Sequence, residues 1–323
     1  MDDERSFYLN VAALAGGVGG AKLADGLARC LPPENLTIIV NTGDDFEHFG
    51  LQICPDLDTV CYTLAGIANP ETGWGRAAES WSVLEEISKL GGPTWFRLGD
   101  RDLGLHLERS RCLRQGETLS QITRRFCLKW GIQPKVIPMS DDSIPTSVYT
   151  MDEGELSFQE YFVHHQCRPR VTGFRYNHVE NAHPAPGVLE ALDKADLVVI
   201  CPSNPWVSVG PILAVLGIRK ALESQRVIAI SPIIGGQAVK GPVAKMYAEL
   251  GIEPSAVSVA HQYGNLLNGF VMDEVDRELM GAVLALNIKP LVTDTLMKTP
   301  ADRQRLAKQV LNFGSNLEKS PQR

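Results

Sequence analysis

The sequence predicts an α/β protein built on a Rossmann-like, doubly wound and mostly parallel sheet. Two observations lead to that class. Short apolar runs rich in β-branched residues alternate with longer stretches of helical periodicity, the pattern of strands buried on both faces by helices. The first such run, over 8–14, passes through Ala15-Gly16-Gly17-Val18-Gly19-Gly20-Ala21-Lys22 into a helical pattern. Glycines between a first strand and a first helix let the backbone turn tightly and come close to a bulky anion. The helix start then offers unpaired N–H groups to phosphate.

In chain order, the predicted strands are 10–14, 36–40, 136–139, 197–201, 227–231 and 256–259, each a short apolar run with β-branched residues. Helical patterns over 22–31, 58–68, 77–90, 118–130, 186–195, 209–223 and 239–250 lie between most of them. In the first, Leu23, Leu27, Cys30 and Leu31 recur at helical spacing. Between 146 and 176 the pattern changes. Residues 146–151 and 156–163 flank Asp152-Glu153-Gly154-Glu155, which predicts a β-hairpin and a small antiparallel insertion. A single domain is expected over 1–313, with the insertion at about 146–176 and a frayed polar tail over 314–323.

Composition narrows the function classes. The chain has 323 residues, 44% hydrophobic and 21% charged, which suffices for a large core. A net charge of −7 with no basic run argues against nucleic acid. No apolar stretch reaches the length of a membrane span. Residues 1–10 lack the basic and apolar regions of a secretory leader. The cysteines, at 30, 54, 61, 112, 127, 167 and 201, form no C-x-x-C pair. They read as reduced thiols of a cytoplasmic protein and argue against a zinc site.

Ligands of an open α/β sheet sit beyond the carboxyl ends of its strands. The residues following the predicted strands are therefore the site candidates: the glycine turn, Asn41-Thr42-Gly43-Asp44-Asp45, Ser140-Asp141-Asp142, Pro202-Ser203-Asn204-Pro205 and Ser231-Pro232-Ile233-Ile234-Gly235-Gly236. Gly, Ser, Asn, Thr and Asp donate to phosphate or hold Mg²⁺, although each alone is also ordinary turn chemistry. Pro55-Asp56-Leu57-Asp58-Thr59 opens a helix, and Asp56 is expected to cap it. In Arg97-Leu98-Gly99-Asp100-Arg101-Asp102, two acids flank Arg101. This is either a charged turn or an arginine held by carboxylates and aimed at an anion. His164 and His165, adjacent on a strand, would point to opposite faces and are read as structural; His261 is a weaker candidate. With no evident nucleophile, direct transfer is favoured, since phosphoryl chemistry can run on positioning and charge neutralisation.

These motifs resemble the 2-phospho-L-lactate transferase family of coenzyme F420 biosynthesis. The resemblance rests on the glycine turn, Asn41–Asp45, Pro55–Thr59, Leu98–Asp102, Pro138-Met139-Ser140-Asp141-Asp142, Gly210-Pro211-Ile212, Ser231–Gly235 and Asp294-Thr295-Leu296-Met297, in one order over nearly the whole chain. It implies a transferase that moves a phospho-three-carbon acid, 2-phospholactate or phosphoenolpyruvate, from its guanosine diphosphate ester. The acceptor is the ribityl hydroxyl of 7,8-didemethyl-8-hydroxy-5-deazariboflavin, and GMP is released. The implied protein is a homodimer that requires Mg²⁺. Carried over residue by residue, Asp58 and Arg101 are catalytic and, with Thr42, contact the deazaflavin. Gly16, Gly17, Gly19, Gly20, Lys22, Ser203, Asn204 and Gly235 contact nucleotide and phosphate. Asp44 and Asp45 are assigned to Mg²⁺ on charge and placement. The alternative is a nucleotide-sugar-binding regulator of the same fold without transferase activity; Asp58-Thr59 and the Leu98–Asp102 segment argue against it. A nicotinamide oxidoreductase is disfavoured because Asn41 stands where an acidic ribose ligand is expected.

Overall fold

The computed structural model describes residues 9–318. Seven parallel strands form the central sheet: β1 (Val11–Ala15), β2 (Leu36–Val40), β3 (Lys135–Pro138), β4 (Leu197–Ile200), β5 (Val227–Ile230), β6 (Gly269–Met272) and β7 (Lys289–Val292). Their spatial order is β7-β6-β5-β4-β1-β2-β3. The chain winds outward from β1 to β3, then returns to the other side of β1 at β4. The crevice beyond the ends of β1 and β4 is thus the topological switch point, where doubly wound sheets bind ligands.

The helices are α1 (Gly17–Ala28), α2 (Pro55–Leu64), α3 (Ser82–Lys89), α4 (Asp100–Arg114), α5 (Leu119–Lys129), α6 (Val188–Asp193), α7 (Gly210–Ala214), α8 (Ile218–Leu222), α9 (Val243–Glu249), α10 (Ala256–Tyr263), α11 (Met280–Ala285) and α12 (Pro300–Ser315). Alternation along the strands divides the core in two. Val11, Ala13 and Ala15 face one layer with Leu23 and Leu27 of α1, Val60 of α2 and Val310 of α12. Ala12 and Leu14 face the other, with Leu192, Leu222, Met246 and Val259. Burial on both faces explains why the strands read as continuous apolar runs.

Several expected elements differ. Residues 256–259 are not a strand but the start of α10, with Ser255 as its N-cap (Oγ accepting from Ser258 N at 3.1 Å). Ala256, Val259, Ala260 and Tyr263 are its buried residues, a helical spacing that a four-residue apolar window cannot display. The strands of that region are β6 and β7. The helix expected over 209–223 is broken into a π-helical turn (Pro205–Val209), α7 and α8, with Gly217 at φ +84° before α8. The charged segment 100–102 is not a turn but the first turn of α4. Helix α12 lies where the sequence reading assigns no element, although Thr299 and Asp302 form a capping box. Of the tail expected to fray, Gly314 and Ser315 end α12 and Leu317 is buried; 319–323 lie outside the described residues, as do 1–8 of the segment read as lacking a leader.

The antiparallel insertion is present and larger than a hairpin. Thr146–Thr150 pairs with Gly154–Ser157 on one side and Val171–Tyr176 on the other. The expected second strand stops at Ser157, and the chain continues through a π-helical turn, Glu160–His164. His164 and His165 are therefore not on a strand, and their rings lie 5.1 Å apart. A short hairpin, Phe46–His48 with Leu51–Ile53, follows β2.

Candidate active site

The glycine turn is held from three sides. Gly17 takes φ +63°, and its N–H donates to Asp56 Oδ1 at 2.6 Å. The Ser203 hydroxyl donates to Gly16 O at 2.8 Å and accepts from Gly16 N at 3.3 Å, joining the loop after β4 to the loop after β1. A Cβ on Gly16 would sit 2.5 Å from Asp56 Oδ2, one on Gly20 would sit 2.8 Å from Ser203 Oγ, and one on Gly19 would run into the Pro202 carbonyl. The glycines are thus required first by close packing of neighbouring protein. The first-turn amides of an α-helix lack intrahelical acceptors. Gly17's amide is spent on Asp56, which leaves those of Val18 and Gly19 for an anion.

Asp56 was expected to cap its own helix. It instead lies inside the first turn of α2, whose N-cap is Cys54, and braces the glycine turn. Its other oxygen accepts from Asn41 Nδ2 at 2.9 Å. Burial pushes its carboxyl up to about 6, opposed by hydrogen bonds from Asn41, Gly17 and Ser208. Asn41, at the end of β2, also receives Gly43 N at 2.8 Å, which shapes the turn into Asp44. A Cβ on Gly43 would meet Pro211 at 2.7 Å, so the Gly210-Pro211 motif packs against this turn.

Beyond that turn Asp44 and Asp45 stand close to Asp56. Asp44 is buried, and its Oδ2 accepts from Gln159 Nε2 of the antiparallel insertion at 3.1 Å. Among the described residues its Oδ1 has no partner, nor have Asp45 Oδ1 and the buried Thr42 Oγ1. Burial, with Asp56 and Asp45 nearby, holds the Asp44 carboxyl well above the usual range. Burial does the same to Asp45, partly offset by Cys54 and Arg109. Buried polar atoms in proteins almost always find partners, so three such atoms gathered at one strand end make it a candidate ligand site. Unpaired oxygens among carboxylates suit a hard cation. Among the described residues, however, no group of three or more His, Cys, Asp or Glu is arranged to hold a metal by itself.

Asp58 faces a different partner. The Arg109 guanidinium forks onto it, with Nη1 donating to Oδ2 at 3.0 Å and Nη2 to Oδ1, and both residues are buried. His106 Nδ1 lies 3.8 Å from Asp58 Oδ2, and His106 Nε2 lies 3.6 Å from Asp102 Oδ1; the latter oxygen accepts from the Tyr62 hydroxyl. The Leu98–Asp102 and Pro55–Thr59 motifs are thereby tied into one buried network. The two acids beside Arg101 do not grip it. Asp100 accepts from Ser80 Oγ and from the amides of Ser82 and Val83, starting α3, and Asp102 faces inward to Tyr62. Arg101 is exposed; its amide donates to Glu79 at 2.8 Å, and its guanidinium has no carboxylate partner among the described residues.

The other predicted contacts divide. Lys22 Nζ donates to Met297 O at 2.8 Å, which brings the Asp294–Met297 motif beside the glycine turn. Asn204 caps the π-helical turn, accepting from Trp206 N and Val207 N, and Gly235 (φ +56°) donates to Asp276. Asp141 and Asp142 are turn residues: Asp141 accepts from Ser120 and Asp142 from His183 N. Sequence reasoning passed over Asp56 as a brace, Gln159, His106 and Arg109. Arg109 carried a signal, since an arginine three residues beyond His106 on a helix begun at Asp100 shares a face with it. Gln159 carried none, because its reach to Asp44 spans 115 residues.

The chain is similar to known proteins over nearly its whole length. The Kitasatospora aureofaciens phosphoenolpyruvate transferase is 44% identical over 90% of this chain and 92% of its own. The Streptomyces griseus phosphoenolpyruvate transferase is 42% identical over 96% and 99%. A Bacillus halodurans protein of the UPF0052 family shares the fold, with a TM-score of 0.62 at 16% identity over 94% of this chain and 98% of its own. Residues 11–311 match the family described as 2-phospho-L-lactate transferase CofD. The chain belongs to that family of transferases.

Proposed function

We propose that the protein transfers a phosphoenolpyruvate unit from its guanosine diphosphate ester to the ribityl hydroxyl of 7,8-didemethyl-8-hydroxy-5-deazariboflavin, in coenzyme F420 biosynthesis. The hydroxyl oxygen bonds to the phosphorus that bears the acid and gives up its proton to solvent or to the departing phosphate, the bridging P–O bond breaks, and GMP leaves. The observation that carries the reading is the trio of unpartnered oxygens, Thr42 Oγ1, Asp44 Oδ1 and Asp45 Oδ1, beside the glycine turn at the switch point. Family membership supports the transfer, and the names of the relatives favour phosphoenolpyruvate over 2-phospholactate.

Asp44 and Asp45 would hold Mg²⁺, with donor phosphate oxygens completing its shell, the usual arrangement for an ion that takes one or two carboxylates. When bound, the ion neutralises charge on the transferred phosphoryl group. Gln159 fixes Asp44, and Asp56 with Ser203 fixes the turn that receives phosphate. Arg101, exposed and without a carboxylate partner among the described residues, is free to meet the acceptor; Asp58 shapes that side of the site through Arg109. The reading carries with it a single cytoplasmic domain over 1–313 acting as a homodimer.

The test is incubation with the deazaflavin and each guanylylated acid, enolpyruvyl, lactyl or glyceryl, followed by mass spectrometry. A phosphodiester product is expected with Mg²⁺, most rapidly from the enolpyruvyl donor, and none in excess chelator. Product formed at full rate in chelator removes the metal assignment. No transfer from any donor, together with binding of a uridine-diphosphate sugar, would favour the regulatory alternative.

A further inference from the structure

Lys22 and Lys240 come from opposite halves of the sequence and both reach the first two turns of α1, beside the glycine turn. Lys22 leaves the second turn of α1, and its ammonium donates to the carbonyl of Met297 at 2.8 Å. Lys240 follows the Gly235-Gly236 turn, and its ammonium donates to the carbonyl of Thr72. A Cβ on Gly73 would stand 2.9 Å from Val18 of the glycine turn and 3.5 Å from Lys240 Nζ, so Lys240 lies over the first turn of α1. Burial lowers the Lys22 ammonium, and the charges of Arg303 and Lys240 lower it further. Arg303 has its own counterion, Asp25, at 3.0 Å. The two lysines have only backbone carbonyls as partners among the described residues.

Each ammonium carries three donors, and one neutral carbonyl occupies one of them. Two like charges beside one helix start repel, and a polyanion that spans both relieves that repulsion. The carbonyl that Lys22 meets and the chain that carries Lys240 are both on braced segments. Asp273 Oδ2 accepts from Thr295 N and Oγ1 at 2.9 Å each, just before Met297, and Asp276 holds Gly235 ahead of Lys240. We propose that Lys22 and Lys240 form a two-ammonium clamp on the diphosphate of the donor nucleotide, oriented by the Met297 and Thr72 carbonyls. The clamp holds the phosphate that departs with GMP, so the charge that develops on the broken P–O bond forms between two cations. The inference rests on the reading of the donor as a guanosine diphosphate ester.

Calorimetric titration of inorganic pyrophosphate without divalent cation tests the clamp in wild type, Lys22→Gln and Lys240→Gln. Each substitution removes charge-assisted hydrogen bonds and is expected to raise the pyrophosphate Kd about ten- to hundredfold. The deazaflavin Kd should stay within about twofold, since neither lysine is a group argued to meet the acceptor. Lys240 lies on an exposed loop, so its replacement leaves the fold intact. No pyrophosphate binding by wild type, wild-type binding by both variants, or equal loss of pyrophosphate and deazaflavin would each overturn the clamp. Failure of the transfer reaction with lysine-dependent pyrophosphate binding intact would remove the acceptor assignment and keep the clamp. Transfer by wild type, with unchanged donor KM in both variants, would do the reverse.

Discussion

Asp58→Asn separates a structural role from a chemical one. The forked contact between Asp58 and Arg109 is buried, with Arg109 2% exposed and Asp58 6%. Asparagine keeps the shape but leaves the Arg109 charge without a counterion in the core, and it presents an NH₂ where the guanidinium needs an acceptor. Breaking one side of a buried pair costs about 3–5 kcal/mol. With unfolding entropy near 2.1 cal/mol/K per residue, a chain of this length should lose roughly 4–7 °C in Tm. Replacing both partners, as in Asp58→Asn with Arg109→Met, removes the stranded charge and should recover more than half of that loss. Differential scanning calorimetry supplies the stability and deazaflavin titration the binding. A Tm for Asp58→Asn within about 1 °C of wild type would refute the buried pair. A double variant that regains stability but not turnover would place Asp58 in the chemistry as well; one that regains both would confine it to holding Arg109.

Arg101→Ala should behave oppositely, with Tm within about 1 °C of wild type because the side chain is exposed and unpaired, and turnover down about ten- to hundredfold; unchanged kinetics would return Arg101 to the solvated surface. Gly19→Ala drives a Cβ into the Pro202 carbonyl, an overpacking that costs about 1–3 kcal/mol and should lower Tm by roughly 2–4 °C; an unshifted melt would show that the two loops are not in contact. Asp44→Asn removes a buried acid with an unpartnered oxygen, so metal-free Tm should hold or rise while the Mg²⁺ dependence of turnover weakens; a lowered Tm with wild-type Mg²⁺ response would contradict its assignment. Asp56 sets a pH dependence. Its folded value of about 6 lies above the unfolded value near 3.9, so its contribution to stability is complete below about pH 4 and is lost as pH rises through 6. Metal-free thermal melts between pH 4 and 7 should show this slope in wild type and a flatter one in Asp56→Asn; identical slopes would exclude Asp56 as its source.

The sequence alone determined the sheet class, the glycine turn and the strand ends that carry the candidate site. These are local properties: an apolar run buried on both faces looks the same from within its own few residues. It also determined the family, because Gly16–Gly20, Asn41–Asp45 and Asp58-Thr59 stand in one order along the chain. Local windows failed where two periodicities fit one run, as at 256–259, where only the partners of Ala260 and Tyr263 decide for a helix. Tertiary structure alone decided which polar groups spend their hydrogen bonds on the protein and which do not. Asn204 and Asp141 are turned to capping, and Asp58 to Arg109, whereas Thr42, Asp44 and Asp45 keep unpaired oxygens. It also brought Gln159 to Asp44 and Met297 to Lys22, across 115 and 275 residues. The physical reason is that hydrogen bonding and ion pairing act over a few ångströms of space. Which atoms come that close depends on how the whole chain is wound, and no local window contains that information.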